Sequence, residues 1–196
     1  MKVIAPSVDL VDIINAEEIL LKIERCGRVC YQSEPKGNPE SFIRMLIKRG
    51  HESVLEHASL TFHIICDRAI LAELTRHRLC AFSVESTRYV KYDNIQVIVP
   101  PFDHAANMSA WVAGIHEIER YHQYLTEMQS PPEIARAVLP LCLKTELYMT
   151  ANLREWRHIL KLRTAKAAHP QMRQIANMIL AVFKEKLPVI VEDIQS

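Results

Sequence analysis

Glycine is scarce: Gly27, Gly37, Gly50 and Gly114 are the only four in 196 residues. A dinucleotide-binding fingerprint or a P-loop needs several glycines at fixed spacing, and none can be assembled from these positions. A phosphorylated ligand would have to be held by side chains, chiefly arginine, and by helix ends. The five cysteines are odd in number, widely spaced and form no Cys-x-x-Cys pair, which argues against a disulfide framework and against a cysteine zinc site. Cys26 and Cys30 lie four apart on an expected helix and read as two buried core thiols. No apolar stretch approaches a membrane span, and MKVIAPSVDLVDIINAEE carries acids where a secretory leader needs an apolar run. Those absences predict a cytoplasmic protein with no membrane partner. Charge of one sign is missing too: 24 Lys and Arg stand against 23 Asp and Glu, a net +1. That balance gives no global attraction to nucleic acid. No His-Glu-x-x-His occurs, since His116–Glu117 runs on to Arg120, and His51 and His57 fall on different helix faces. No metal site is expected.

Hydrophobic residues make up 49% of the chain, enough for a buried core, and no boundary or repeat divides it, so residues 1–196 are expected to form one domain. Short strands are expected at Lys2–Ala5 and Gln96–Val99. Alternation of Leu60, Phe62 and Ile64 with Thr61 and His63 predicts a strand over Ala58–Ile65, and another is expected over Lys144–Thr150. Helical spacing predicts helices over Asn15–Val29, Ser41–Lys48, Arg68–His77, Ser109–Gln129, Glu133–Val138, Leu153–Leu162 and Pro170–Lys186. Asn15 is the expected N-cap of the first, and Gly50 closes the second. SEPKGNP is a loop, and Phe82–Tyr92 is irregular or partly extended. Strands and helices in no strict alternation predict an α+β domain.

The chemistry concentrates in RHRLCAFSVESTRYVKY, residues 76–92. Arg76, His77 and Arg78 are adjacent, and Ser86, Thr87 and Arg88 follow. Adjacent cations repel, so a fold keeps such a triplet on a solvated face or around an anion. Arginine forks offer bidentate bonds to phosphate, and Ser86 and Thr87 add hydroxyls and backbone N–H groups. Leu79, Ala81 and Phe82 interleave the charges, which predicts a partly buried loop. From residue types alone, a solvated charge run, a basic RNA patch and an anion site all remain open.

Arg-His-Arg, seven residues and then Ser, as in Arg76–His77–Arg78 through Ser86, resembles the signature of the flavin-dependent thymidylate synthases. Arg88 and Tyr89 extend the likeness. GHESVLEHASLTFHI from Gly50, ARAVLP around Arg136 and NLREWRHILKLR from Asn152 to Arg163 are similar to further blocks of that family, in the same order. The resemblance implies a thymidylate synthase-complementing type of fold: a single compact α+β domain with a mostly antiparallel sheet flanked by helices. It implies methylation of dUMP to dTMP, with methylenetetrahydrofolate as carbon donor and NADPH reducing a bound FAD. It also implies a homotetramer with its sites between subunits.

Carried onto this sequence, the resemblance places FAD on Ser53, Arg76, His77, Arg78, Asn152, Arg154 and His158. It places dUMP on Arg76, Ser86, Thr87, Arg88, Arg136 and Arg163, with Glu73 a further candidate for base or ribose. Arg163 would stabilise negative charge in the uracil ring, because carbon 5 is a weak nucleophile until the ring ionises. Arginine cannot itself be the base. Ser86 reads as a phosphate ligand, since no His–Asp relay is evident beside it. On a helix, Arg154, His158 and Lys161 share one stripe, while Asn152, Trp156, Ile159 and Arg163 fall nearly opposite. Two polar stripes suit a helix between two ligands or two subunits. Val84 stands where the family commonly has a polar residue, which keeps open a related flavin-dependent enzyme modifying another pyrimidine nucleotide; Cys80 departs from the pattern too and reads as packing. An RNA-binding module using the basic loop and its tyrosines is the rival from a different class.

Overall fold

A computed structural model describes residues 1–35, 37–90, 92 and 94–195. Lys36 of the expected loop and Lys91 of the arginine-rich segment lie outside them. The order of elements is β1 (Lys2–Val3), β2 (Ser7–Leu10), α1 (Ala16–Tyr31), α2 (Pro39–Lys48), a 3₁₀ turn (Glu52–His57), β3 (Ser59–Asp67), α3 (Arg68–Leu74), β4 (Ala81–Val84) and β5 (Gln96–Val97). There follow α4 (Ala105–Glu127), α5 (Pro132–Ala135), a 3₁₀ turn (Arg136–Val138), β6 (Lys144–Asn152), α6 (Leu153–Arg163), α7 (Pro170–Lys186) and α8 (Pro188–Val191). The fold class is α+β, as the sequence predicts. The chain falls into two compact units, one of Met1–Ser7, Ile64–Arg76 and Ser83–Leu147, the other of Val8–His63, His77–Phe82 and Tyr148–Ser196.

The larger sheet runs in the order β2-β3-β6-β4. Its central pair is antiparallel: Leu153 N–H donates to the Ala58 carbonyl at 2.9 Å, Thr61 and Thr150 share a hydroxyl hydrogen bond at 2.9 Å, and the rings of His63 and Tyr148 lie 4.8 Å apart. Those pairs run in opposite directions along the two strands, which is the antiparallel pattern. Period-two burial follows: Leu60, Phe62, Ile64 and Cys66 are buried on β3, and Thr145, Leu147, Met149 and Ala151 on β6.

In the second unit, Phe62 meets Trp156 edge-on at 5.0 Å and Phe183 at 5.8 Å, so α6 and α7 cover the buried sheet face. Trp156 Nε1 donates to the Leu60 carbonyl at 3.0 Å, satisfying the indole where it is wholly buried. A Cβ on Gly27 would come within 2.8 Å of the Phe42 ring, so glycine is what lets α1 approach α2 there. Gly50, at φ 73°, takes the left-handed turn after α2 that glycine favours. Arg157 is almost fully buried; it bonds Glu52 at 3.0 Å, Asp193 at 2.7 Å and the carbonyl of Ile190, tying α6 to the C-terminal residues.

In the first unit, β1 pairs in parallel with β5, Lys2 opposite Gln96. Ile95, Val97, Ile115, Cys142 and Leu143 form its core. Helix α4 begins at Ala105, earlier than the expected Ser109, and Glu119 joins Ile115 and His122 on the buried stripe. Among the described residues no helix is long and apolar enough to cross a membrane.

Candidate functional site

In the first unit, α3 opens on a strong cap, with Asp67 accepting the Ile70 N–H at 2.8 Å, and ends at Leu74. Arg76 follows it, exposed, and Glu73 is half-buried on its last turn. The segment after β4 turns tightly: the Ser86 carbonyl accepts from Tyr89 N–H at 3.2 Å and Val90 N–H at 3.1 Å, and Ser86 Oγ accepts from Arg88 N–H at 3.3 Å. Arg136, 49 residues on, donates from Nη1 to the buried Thr87 hydroxyl at 3.2 Å and from Nε to the Glu133 carbonyl at 3.2 Å. The structure therefore brings Arg136 onto the Ser86–Arg88 turn, with Arg88 and Arg136 exposed and Ser86 half-buried. Beside them is a cavity of about 340 Å³ lined in part by Thr87, Val90, Tyr92, His122 and Arg136.

Glu85, one residue before this turn, accepts from the Tyr92 hydroxyl at 2.7 Å and from Lys144 Nζ at 2.9 Å. Burial and that hydrogen bond push the Tyr92 phenol well above its ordinary range. Burial also lowers the pKa of His122 on α4. Tyr92 is thus held as a neutral donor and packs edge-on to His122 at 6.4 Å. Tyr89 is 77% exposed, with the Arg88 guanidinium 5.6 Å from its ring centre.

In the second unit, Asn152 caps α6 by accepting the Glu155 N–H at 2.8 Å. One stripe of that helix, Arg154, His158 and Lys161, is exposed, as the sequence geometry predicts. With Asn152, Glu52, Glu56 and Leu79 it lines a cavity of about 650 Å³. Arg154 bonds Glu56 at 2.5 Å, but both side chains are about half exposed, so the pair is weak and exchangeable for another anion. Ser53 lines a neighbouring depression, which Arg154 also borders. Arg78 is exposed. So is Leu79, at 77%, which corrects the expectation that it buries the loop.

The opposite stripe holds the arrangement with most chemical content. His77 is 6% exposed, and Arg163, the last residue of α6, donates from Nε to His77 Nε2 at 3.0 Å. Burial, then the charge of Arg163 and the nearby His158, pull the His77 pKa down from 6.5 to about 4. The ring is neutral at working pH, as an acceptor for an arginine N–H must be. His77, Glu155 and His158 bring ligand atoms within 4.8 Å of one another, a convergence that helical spacing of the histidines alone does not reveal. The Arg163 N–H already occupies His77 Nε2, and its charge opposes a cation there. Glu155, beside His77, is absent from the site expectations, as are Glu52, Glu56 and Lys161 of the α6 cavity. The Asn152-x-x-Glu155 capping pattern marks Glu155 as a helix-start residue, which conceals its burial.

The donor set along α6 suits a phosphorylated ligand. Arg154 and Lys161 offer cationic N–H groups for a diphosphate, Asn152 and His158 offer neutral polar edges, and Leu79 gives an apolar wall. The chain matches the family model described as thymidylate synthase complementing protein over residues 10–189. It is 33% identical over 193 residues to a protein of Mycobacterium phage L5 described as a probable flavin-dependent thymidylate synthase, covering 87% of this chain and 79% of that one. A flavin-dependent thymidylate synthase of Mycobacteroides abscessus is likewise 33% identical over 194 residues, covering 87% and 78%. Among solved structures the chain is similar to the UMP/dUMP methylase PolB of Streptomyces cacaoi bound with 5-Br dUMP. That match has a TM-score of 0.83 and 27% identity, and covers 98% of this chain and 96% of that one.

Proposed function

Because the chain belongs to the thymidylate synthase complementing protein family, and is an enzyme of the flavin-dependent thymidylate synthase type, we propose that it methylates carbon 5 of dUMP to give dTMP. Methylenetetrahydrofolate is the one-carbon donor and NADPH the reductant. FAD supplies the redox chemistry when bound, held by Ser53, Arg76, His77, Arg78, Asn152, Arg154 and His158. The nucleotide phosphate is met by Arg76, Ser86, Thr87, Arg88 and Arg136, with Glu73 toward base or ribose. The phosphate ligands and Arg163 need not come from one copy of the chain, since the resemblance implies a homotetramer with sites between subunits.

The observation that supports this reading best is the Arg163–His77 contact. A guanidinium held through Nε has a fixed plane, which suits it to stabilise one location of charge rather than to neutralise charge diffusely. Placed against the uracil, it lowers the cost of ionising the ring, and carbon 5 becomes nucleophilic. Carbon 5 then bonds the one-carbon unit as that unit's bond to the folate nitrogen breaks and the carbon 5 hydrogen leaves as a proton. The two electrons that make the unit a methyl group come from NADPH. The Ser86–Arg88 turn and Arg136 fix the nucleotide through its phosphate and so orient the ring.

The reading is tested by assaying wild type and Arg163→Lys for dTMP formation. Lysine keeps the charge and loses the fork, so kcat should fall by about 10²–10³-fold while bound flavin is retained. Unchanged kcat in the variant would remove Arg163 from the mechanism. The relative from Streptomyces cacaoi is named a UMP/dUMP methylase, so UMP belongs in the same assay. Turnover of UMP alone would favour the related pyrimidine-nucleotide enzyme over the synthase.

A further inference from the structure

The structure assigns Glu155 as a positioning residue that acts through His77 to hold Arg163. The assignment rests on the proposed role of Arg163. Glu155 is 7% exposed, and its Oε1 faces His77 Nδ1 at 3.6 Å. On the other side of the same ring, Nε2 accepts the Arg163 Nε–H at 3.0 Å. Arginine is always a donor, so Nε2 carries the lone pair and the ring proton sits on Nδ1, the nitrogen that faces the carboxylate. One tautomer suits both neighbours. With the proton on Nε2, two N–H groups would point at each other and the arginine would be released.

A capping role does not account for the carboxylate. The backbone N–H of Glu155 bonds Asn152, but the side chain is turned to His77. Burying a carboxylate costs several kcal/mol unless a partner compensates, and His77 is the partner its geometry offers. The 3.6 Å separation is just beyond hydrogen-bond length, a spacing common at catalytic contacts before a ligand is bound. Among the described residues, the charged or titratable groups facing His77 are Glu155, His158 and Arg163, all on α6. Burial and Arg163 keep the ring uncharged, so Glu155 acts as an acceptor that selects a tautomer rather than as a counter-ion.

Two measurements on the full-length flavin-loaded protein test this. The first is the nitrogen NMR signature of the His77 ring, in wild type, Glu155→Gln and Glu155→Ala. Wild type and Glu155→Gln should show the proton on Nδ1, because a glutamine oxygen still accepts there, and Glu155→Ala should show mixed tautomers. The second is a double-mutant cycle on dUMP turnover. Glu155→Ala should lower kcat about 10- to 100-fold with a smaller change in KM, the size of effect that follows from misplacing a reacting group. Glu155→Gln should recover most of that loss. Glu155→Ala with His77→Ala should be no worse than His77→Ala alone, because both act on one route. A ring protonated on Nε2 in wild type, a ring unchanged in Glu155→Ala, or losses that multiply would each overturn the assignment. If wild type does not turn over dUMP, the proposed methylation fails, while the ring signature still decides the role of Glu155.

Discussion

Lowering the pH from above 6.5 to 4 should destabilise the protein through His77. The folded state holds this ring neutral with a pKa of about 4, against 6.5 when it is free. Between those values the unfolded chain binds a proton that the folded chain refuses, so stability is complete above 6.5 and is lost as pH falls toward 4. The gap between about 4 and 6.5 sets the loss at about 3 kcal/mol, a large share of a typical domain's stability. His122, lowered by burial, pulls in the same direction. Asp193, held below its usual 3.8 by Arg157 and Lys161, loses its contribution only below that value. Urea unfolding of wild type and His77→Gln at half-unit steps of pH isolates the His77 share, because the other groups contribute equally to both proteins. The wild-type midpoint should fall by roughly 1–2 M more than that of the variant. Parallel pH dependences would mean that His77 is not a buried neutral acceptor, and the tautomer argument built on it would fail too.

Arg136→Ala removes the Thr87 contact and a proposed phosphate ligand, so it should raise KM for dUMP by about 10- to 100-fold with little change in flavin absorbance. Steady-state kinetics and a flavin spectrum separate those effects. Gly27→Ala places a methyl group 2.8 Å from the Phe42 ring and should cost about 1–3 kcal/mol, read as a lower urea midpoint. Asp193→Ala leaves Arg157 buried on Glu52 and the Ile190 carbonyl, and should cost about 1–3 kcal/mol at neutral pH, read by urea unfolding.

Long periodic segments were legible in the sequence because their burial repeats over several turns. The pattern of Leu60, Phe62 and Ile64 predicts β3, and α6 and α7 begin and end within a residue or two of expectation. Short elements were not. Ser7–Leu10 is too brief to show alternation, and Pro188–Val191 is an apolar run of four that carries no period. Helix α4 starts before Ser109 because Ala105–Met108 is exposed and adds nothing to its apolar stripe. In Phe82–Tyr92, read as irregular or partly extended, Ala81–Val84 is a strand, and the Glu85 N–H pairs with the Glu146 carbonyl at 2.9 Å across 61 residues.

Site residues divide on the same line. Arg76, Arg78, Arg88, Arg154 and His158 are exposed, where residue type alone points to a ligand. Arg157 sits in the same NLREWRHILKLR block and differs from Arg154 only in facing inward, with partners 36 and 105 residues away. Glu155 is concealed because a helix-start glutamate is common, and its partner His77 lies in the arginine signature rather than on its own helix. Distance along the chain, not residue chemistry, is what the sequence withholds.

The most direct test of the central claim is to incubate the purified protein with dUMP, FAD, NADPH and methylenetetrahydrofolate, and to identify the nucleotide product by mass and chromatography. Formation of dTMP, abolished by omitting dUMP, NADPH or methylenetetrahydrofolate or by first stripping the protein of FAD, is the predicted result. A protein that binds FAD yet leaves dUMP unmethylated with all four present would contradict it.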